Sequence, residues 1–160
     1  GFVAIANYNC PGQLVIAGEV DAVTKASELA LEKGARRAIP LNTSGPFHTE
    51  LLAPASKELK EKFTTVTFNE MQIPVVFNSS AKELEPGTSI AKMLEKQVMS
   101  SVYFEDSIRY MISKGVDTII EIGPGKVLNG FIRKIDKSIK TYQVEDQASL
   151  EKTLMGLKGE

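Results

Sequence analysis

The sequence has few of the residues that metal and redox sites require. Its 160 residues include one cysteine, Cys10, one histidine, His48, and no tryptophan. A single cysteine excludes an internal disulfide and a cysteine-based zinc site, and a single histidine excludes any mechanism that needs two imidazoles. We therefore expect no metal and no redox cofactor. The low cysteine content favours a reducing cytoplasm.

Charge is also balanced. The chain has 19 lysines and arginines against 20 aspartates and glutamates, for a formal net charge of −1. This balance argues against a broad basic surface for nucleic acid and against a polybasic membrane patch. No apolar run reaches the ~18 residues that a membrane span needs. We expect neither nucleic acid nor a membrane as a partner.

What the sequence does contain is an alternation of short apolar runs and amphipathic stretches. Phe2–Ala6 and Leu14–Ala17 are predicted to form an antiparallel hairpin around the polar segment Asn7–Gln13. Further short strands are predicted at Arg36–Leu41, Pro74–Asn78, Asp117–Ile122 and Ile139–Val144. Helices are predicted near Asp21–Lys33, Pro54–Val66, Thr88–Lys96, Phe104–Lys114, Val127–Ile135 and Leu150–Leu157. Strands that alternate with helices indicate an α/β fold with a mostly parallel sheet.

The Gly123–Lys126 segment (GPGK) is similar in composition to a phosphate-binding loop. A Walker A loop would need glycine at 120 and serine or threonine at 127, where the chain has Ile120 and Val127. The dinucleotide-binding pattern also fails, because Leu128 stands where glycine or alanine is required. We interpret the segment as a tight turn between a strand and a helix.

Catalytic side chains are sparse. The nucleophile motif Gly-x-Ser-x-Gly is absent from the sequence, and Ser89, in GTSIA, is interpreted as a helix N-cap. His48 lies where a loop meets a helix and is the leading candidate for acid–base chemistry near neutral pH, although a lone loop histidine is often merely solvated. A Cys10–His48 thiol–imidazole pair is a further alternative.

Five motifs, taken together, resemble a known family. They are NYNCPGQLVIAG at Asn7–Gly18, Arg37 followed by Pro40-Leu41, SGPFH at Ser44–His48, EKQ at Glu95–Gln97, and EIGPGKVL at Glu121–Leu128. Their order and spacing closely resemble the C-terminal half of malonyl-CoA:acyl carrier protein transacylases. The acyltransferase domains of polyketide synthases share the pattern more loosely. The resemblance covers nearly the whole chain.

The resemblance implies a fold and a division of the chain. Residues 1–39 would be part of a small ferredoxin-like subdomain. Residues 40–160 would be the C-terminal part of an α/β-hydrolase-like acyltransferase core.

The resemblance also implies a reaction. A serine attacks the malonyl thioester of malonyl-CoA, and the pantetheine thiol of acyl carrier protein then collects the malonyl group, in fatty acid biosynthesis. His48 matches the family's general base. Gln97 matches the residue whose backbone carbonyl orients the imidazole, in the place of the aspartate of a catalytic triad.

Five further positions match the family's substrate cleft. Asn7, Asn9, Gln13 and Arg37 match positions near the pantetheine and phosphates of CoA, and the alternative for Arg37 is a solvated surface charge. Phe47 resembles the form that selects malonyl, because its ring would fill the space that an α-methyl group needs; the alternative is ordinary core packing.

The chain departs from the family in one large respect. The family's nucleophilic serine, its carboxylate-binding arginine and its oxyanion-hole donors belong to an N-terminal half that these 160 residues do not include. We therefore expect a fragment that is inactive alone and needs the missing half as a partner. Two alternatives remain open: a fragment of a polyketide synthase acyltransferase domain, and a non-catalytic module that binds CoA or a carrier protein.

Overall fold

The computed structural model describes residues 1–159, which form an α/β fold of two small sheets and six α-helices. The strands are β1 (Val3–Cys10), β2 (Gln13–Gly18), β3 (Val102–Tyr103), β4 (Thr118–Ile122) and β5 (Lys140–Val144). The helices are α1 (Val20–Glu32), α2 (Ala53–Phe63), α3 (Ile90–Gln97), α4 (Phe104–Ser113), α5 (Val127–Ile135) and α6 (Gln147–Lys158). The predicted α/β class is confirmed.

The first sheet has the strand order β2-β1-β3. β1 and β2 form the predicted antiparallel hairpin, and β1 pairs in parallel with β3, with Asn7 opposite Val102. The prediction of a long polar loop over Asn7–Gln13 is wrong. β1 continues to Cys10, and only Pro11 and Gly12 make the turn, because Gly12 can adopt its positive φ of 76° without steric cost.

The second sheet is a parallel pair, β4 and β5, joined through α5. Parallel neighbours need a crossover connection, and the amphipathic segment Val127–Ile135 supplies it. The Gly123–Lys126 turn leads into α5, and the first N–H groups of that helix find their hydrogen-bond acceptor within the chain. The Glu121 carboxylate accepts the backbone N–H groups of Leu128 and Asn129, at 3.1 and 2.8 Å. These donors at the start of α5 are therefore already paired with a carboxylate, which supports interpreting the segment as a turn.

The core joins the two ends of the chain. Cys10 at the end of β1 packs in one buried cluster with Ile108 of α4, with Ile132 and Ile135 of α5, and with Ile139. Phe104 and Phe131 meet edge to face against this cluster, with ring centroids 6.1 Å apart. β1 is thus held by two helices, α4 and α5, that lie about a hundred residues or more further along the sequence.

Two predicted strands do not form. Arg36–Leu41 has no regular secondary structure, and Pro74–Asn78 contributes only an isolated bridge between Phe77 and Lys82. A strand is stable only when a neighbour accepts its backbone hydrogen bonds, and these two runs have no neighbouring strand within residues 1–159. Apolar runs of this length are therefore insufficient by themselves to define strands.

Many large apolar side chains are left on the surface. Ile122 at the end of β4 is 83% exposed, and Ile73 and Val127 are also largely exposed. Exposed apolar residues in this number are typical of surfaces that another segment covers. No helix in the described part of the chain is long and apolar enough to cross a membrane.

Candidate active site

The candidate site is built at the C-terminal end of α3. Ser89 begins this helix as its N-cap, and its side chain accepts the N–H of Lys92 at 3.2 Å. The helix ends at Gln97, where the last carbonyls of an α-helix have no partner inside the helix. The carbonyl oxygens of Gln97 and of Val98, the next residue, both contact His48.

His48 meets this helix end with two nitrogens. Its backbone N–H donates to the Val98 carbonyl at 3.2 Å, and its Nδ1 lies 3.2 Å from the Gln97 carbonyl oxygen. A carbonyl can only accept, so this contact requires the proton on Nδ1 and leaves the lone pair of Nε2 free. A neutral imidazole in this tautomer has the form that a general base needs.

The backbone of His48 is unusual. Its φ is +63°, in the left-handed region that side chains other than glycine seldom adopt. Such conformations persist only where the surroundings fix them. The two contacts with α3 supply part of that constraint.

The Gln97 carbonyl is itself anchored. It also accepts the N–H of Ser100 at 3.3 Å, and the next residue, Ser101, donates its hydroxyl to the Ile5 carbonyl at 2.7 Å. β3 follows directly and pairs with β1. The acceptor for His48 is therefore tied to the first sheet as well as to α3.

Two buried hydroxyls near His48 were not identified from the sequence. Thr49 is 2% exposed and donates to the Pro46 carbonyl at 2.7 Å. Ser56 on α2 donates to the Glu95 carbonyl of α3 at 2.9 Å. Serine and threonine are common everywhere, and only the structure shows which carbonyls these two hydroxyls bond.

The predicted cleft residues of the hairpin are found on β1 and β2. Asn7 and Asn9 lie in β1 and are partly buried, and they alternate with the buried Ala6 and Cys10. Register shifts between Ile5 and Asn7 and between Tyr8 and Cys10 interrupt the regular alternation of this strand. Gln13 opens β2, and its Oε1 lies 3.8 Å from the Cys10 Sγ. Within residues 1–159, these side chains make no hydrogen bond to His48.

Arg37 and Phe47 lie between α1 and α2. Arg37 is exposed and forms no ion pair with the residues described. Phe47 directly precedes His48, and its side chain is 49% exposed among the residues described.

Cys10 lies in an environment unsuited to a nucleophile. It is 2% exposed within the apolar core, and burial raises the pKa of its thiol. A raised pKa lowers the thiolate fraction at neutral pH. The geometry therefore disfavours the Cys10–His48 alternative. In the part of the chain that the structure covers, no group of three or more histidine, cysteine, aspartate or glutamate side chains could hold a metal ion.

Comparison with known proteins agrees with the α/β fold and relates the chain to a family of transacylases. The chain is 47% identical over 158 residues to a malonyl CoA-acyl carrier protein transacylase of Bacillus subtilis. The aligned region covers 99% of this chain and 50% of the relative. It matches the structure of MCAT from Streptococcus pneumoniae at 50% identity and a TM-score of 0.92, over 98% of this chain and 51% of that one. No family model matches the chain.

A third match includes a carrier protein. A structure described as a type II PKS acyl-carrier protein in complex with its malonyl-transacylase matches at 34% identity and a TM-score of 0.92, over 99% of this chain and 50% of that one. The resemblance to malonyl CoA-acyl carrier protein transacylases is confirmed, and the chain is related to half of such a protein. It spans about half the length of the curated relatives that it matches.

Proposed function

We propose that the complete protein transfers a malonyl group from malonyl-CoA to the pantetheine thiol of acyl carrier protein, in fatty acid biosynthesis. The contact between His48 Nδ1 and the Gln97 carbonyl carries this proposal, because it gives the imidazole the tautomer of a general base. The 47% identity to a malonyl CoA-acyl carrier protein transacylase supports the choice of acyl group and acceptor.

In the proposed reaction a serine outside this chain is the nucleophile. His48 Nε2 takes the proton of the serine hydroxyl as the oxygen attacks the malonyl thioester, and it returns that proton to the sulfur of CoA as the thiol leaves. The pantetheine thiol of the carrier protein then attacks the malonyl-serine ester, with the same imidazole moving the proton in the reverse order. The Gln97 carbonyl holds the Nδ1–H throughout.

Five further residues of this chain are proposed to contact the substrate. Arg37 is assigned to the phosphates of CoA because it is exposed, charged and without an ion pair among residues 1–159. Asn7, Asn9 and Gln13 are assigned to the cleft because they are polar, partly buried and close together in the β1–β2 hairpin. Phe47 is assigned to selection against an α-methyl group because its ring is half exposed beside His48.

We also propose that the fold divides into two parts. Residues 1–39 form part of a ferredoxin-like small subdomain, and residues 40–160 form the C-terminal part of an α/β-hydrolase-like core. The cleft lies between this chain and the missing half. A reducing cytoplasm is the proposed location.

One observation supports a different carrier protein as the acceptor. A relative of the same fold is in complex with a polyketide acyl-carrier protein, so the acceptor could be a carrier of polyketide synthesis with unchanged chemistry. The non-catalytic alternative predicts binding of CoA or carrier protein without transfer.

The experiment is a transfer assay with the complete protein, malonyl-CoA and the acyl carrier proteins of both pathways. Wild type should transfer malonyl, and His48→Gln should lower the rate by about 10²–10⁴, the usual contribution of a general base. A wild-type protein that binds malonyl-CoA but transfers nothing would support the non-catalytic module. Unchanged turnover in His48→Gln would exclude His48 as the base.

A further inference from the structure

We propose that Thr49 is the positioning residue that sets the orientation of the His48 imidazole through its hydroxyl. This inference rests on the proposed function of His48 and adds a residue to it. Thr49 follows His48 directly and is the more deeply buried of the two, at 2% exposure.

The Thr49 hydroxyl has an unusual use. Thr49 is the N-cap of the short 3₁₀ turn Glu50–Leu52, yet its side chain makes no capping hydrogen bond to that turn. A threonine N-cap ordinarily accepts an N–H of the helix that follows it. Here the hydroxyl donates backwards to the Pro46 carbonyl at 2.7 Å, while the Thr49 carbonyl accepts the N–H of Leu52.

This bond closes a loop around His48. Pro46 and Thr49 flank Phe47 and His48, so a bond between them fixes the two peptides on either side of the imidazole. His48 lies between them at φ +63°, a conformation that needs such restraint. On the far side, α3 holds the Nδ1 and the backbone N–H of His48.

The imidazole of His48 is therefore positioned by two restraints, one on the ring and one on the backbone. The Gln97 carbonyl fixes its tautomer, and the Thr49–Pro46 bond fixes the backbone from which the ring projects. Without the hydroxyl the loop can relax from the left-handed conformation, and Nδ1 then loses its alignment with the Gln97 carbonyl. Catalysis would fall while the binding of malonyl-CoA would not, because Thr49, at 2% exposure, has almost no surface that a substrate could contact.

The test compares Thr49→Val, Thr49→Ser and Thr153→Val in the complete protein. Valine keeps the shape of threonine and removes the donor, whereas serine keeps the donor. Thr153, on α6, is a matched control. It is 3% exposed, and its hydroxyl donates to the Gln143 carbonyl at 3.3 Å. Thermal unfolding of each variant shows whether it folds.

We expect kcat of Thr49→Val to fall at least about fivefold, the effect of one net hydrogen bond, with KM for malonyl-CoA within about twofold of wild type. Thr49→Ser should restore most of kcat, and Thr153→Val should leave it unchanged. The inference is overturned if Thr49→Val and Thr153→Val have the same kcat, or if serine fails to restore it.

A second readout does not depend on turnover. In protein labelled with ¹⁵N-histidine, the His48 signals are assigned by their loss in His48→Gln, and their shifts report the tautomer. Thr49→Val should reduce the share of the Nδ1–H form, and Thr153→Val should not. If the wild-type protein transfers no malonyl, the proposed function fails while this readout still decides the role of Thr49; an unchanged tautomer in Thr49→Val contradicts it.

Discussion

At the scale of single residues, a backbone carbonyl stands where many hydrolytic sites have a carboxylate. The Gln97 carbonyl gives His48 an oriented acceptor without placing a charge beside it. An acceptor is sufficient to fix the tautomer. The site therefore needs no aspartate, but it depends on the exact position of the end of a helix.

Phe47 leads to a prediction about acyl selectivity. Its ring is 49% exposed directly before His48, and the proposed function assigns it to the space around the α-carbon of a bound acyl group. In the complete protein, Phe47→Ser should raise turnover of methylmalonyl-CoA relative to malonyl-CoA at least about tenfold, the discrimination that one methyl group typically provides. Competition between the two thioesters measures the ratio directly. A ratio equal to that of wild type would show that Phe47 takes no part in selection.

At the scale of secondary-structure elements, α3 is the part that positions the acceptor. Of the two neighbouring hydroxyls that could cap it, Ser89 makes the bond to Lys92. Ser89→Ala should lower the free energy of unfolding by about 1 kcal/mol, and Thr88→Ala, the matched control, should change it little. Denaturant titration of the complete protein gives both values. Equal losses in the two variants would contradict the assignment of Ser89 as the cap.

α6 gives a prediction about pH. Hydrogen bonds from the side chain and the backbone N–H of Ser149 hold the pKa of the Asp146 carboxyl below its usual range, in a capping box at the start of the helix. A carboxyl with a lowered pKa in the folded state stabilises the protein above its unfolded-state pKa and loses that contribution as the pH falls towards the folded-state value.

The urea midpoint of wild type should therefore fall more steeply on acidification below about pH 5 than that of Asp146→Asn, which still caps but does not titrate. Ser149→Ala removes the hydroxyl that lowers the pKa, so the difference between aspartate and asparagine at 146 should shrink in that background. Parallel acid profiles of wild type and Asp146→Asn would contradict the prediction.

The helices were predictable because their signals are local. Phe104, Ile108 and Met111 repeat at helical spacing before Gly115, and the helix ends at Ser113. The strand signals at Arg36–Leu41 and Pro74–Asn78 failed because a strand depends on a partner that local sequence does not contain. The pairing of His48 with Gln97, 49 residues apart, came from the family resemblance and not from spacing. The contact of Thr49 with Pro46 left no sequence signal.

At the scale of the whole molecule, the exposed apolar surface and the length of the relatives agree. The chain spans about half of each curated relative, and the end of β4 leaves Ile122 almost fully exposed. Surfaces of this kind are covered in a complete fold. In the proposed function the reaction is therefore divided between two halves: this chain would supply the base and its acceptor, and the other half would supply the nucleophile.

That division is tested most directly by locating the acyl group. The complete protein is mixed with radiolabelled malonyl-CoA, quenched in acid and digested, and the labelled peptide is sequenced. We expect a malonyl ester on a serine outside residues 1–160, formed much more slowly in His48→Gln. Label on a residue within 1–160, such as Cys10, or an ester formed at the wild-type rate without His48, would contradict it.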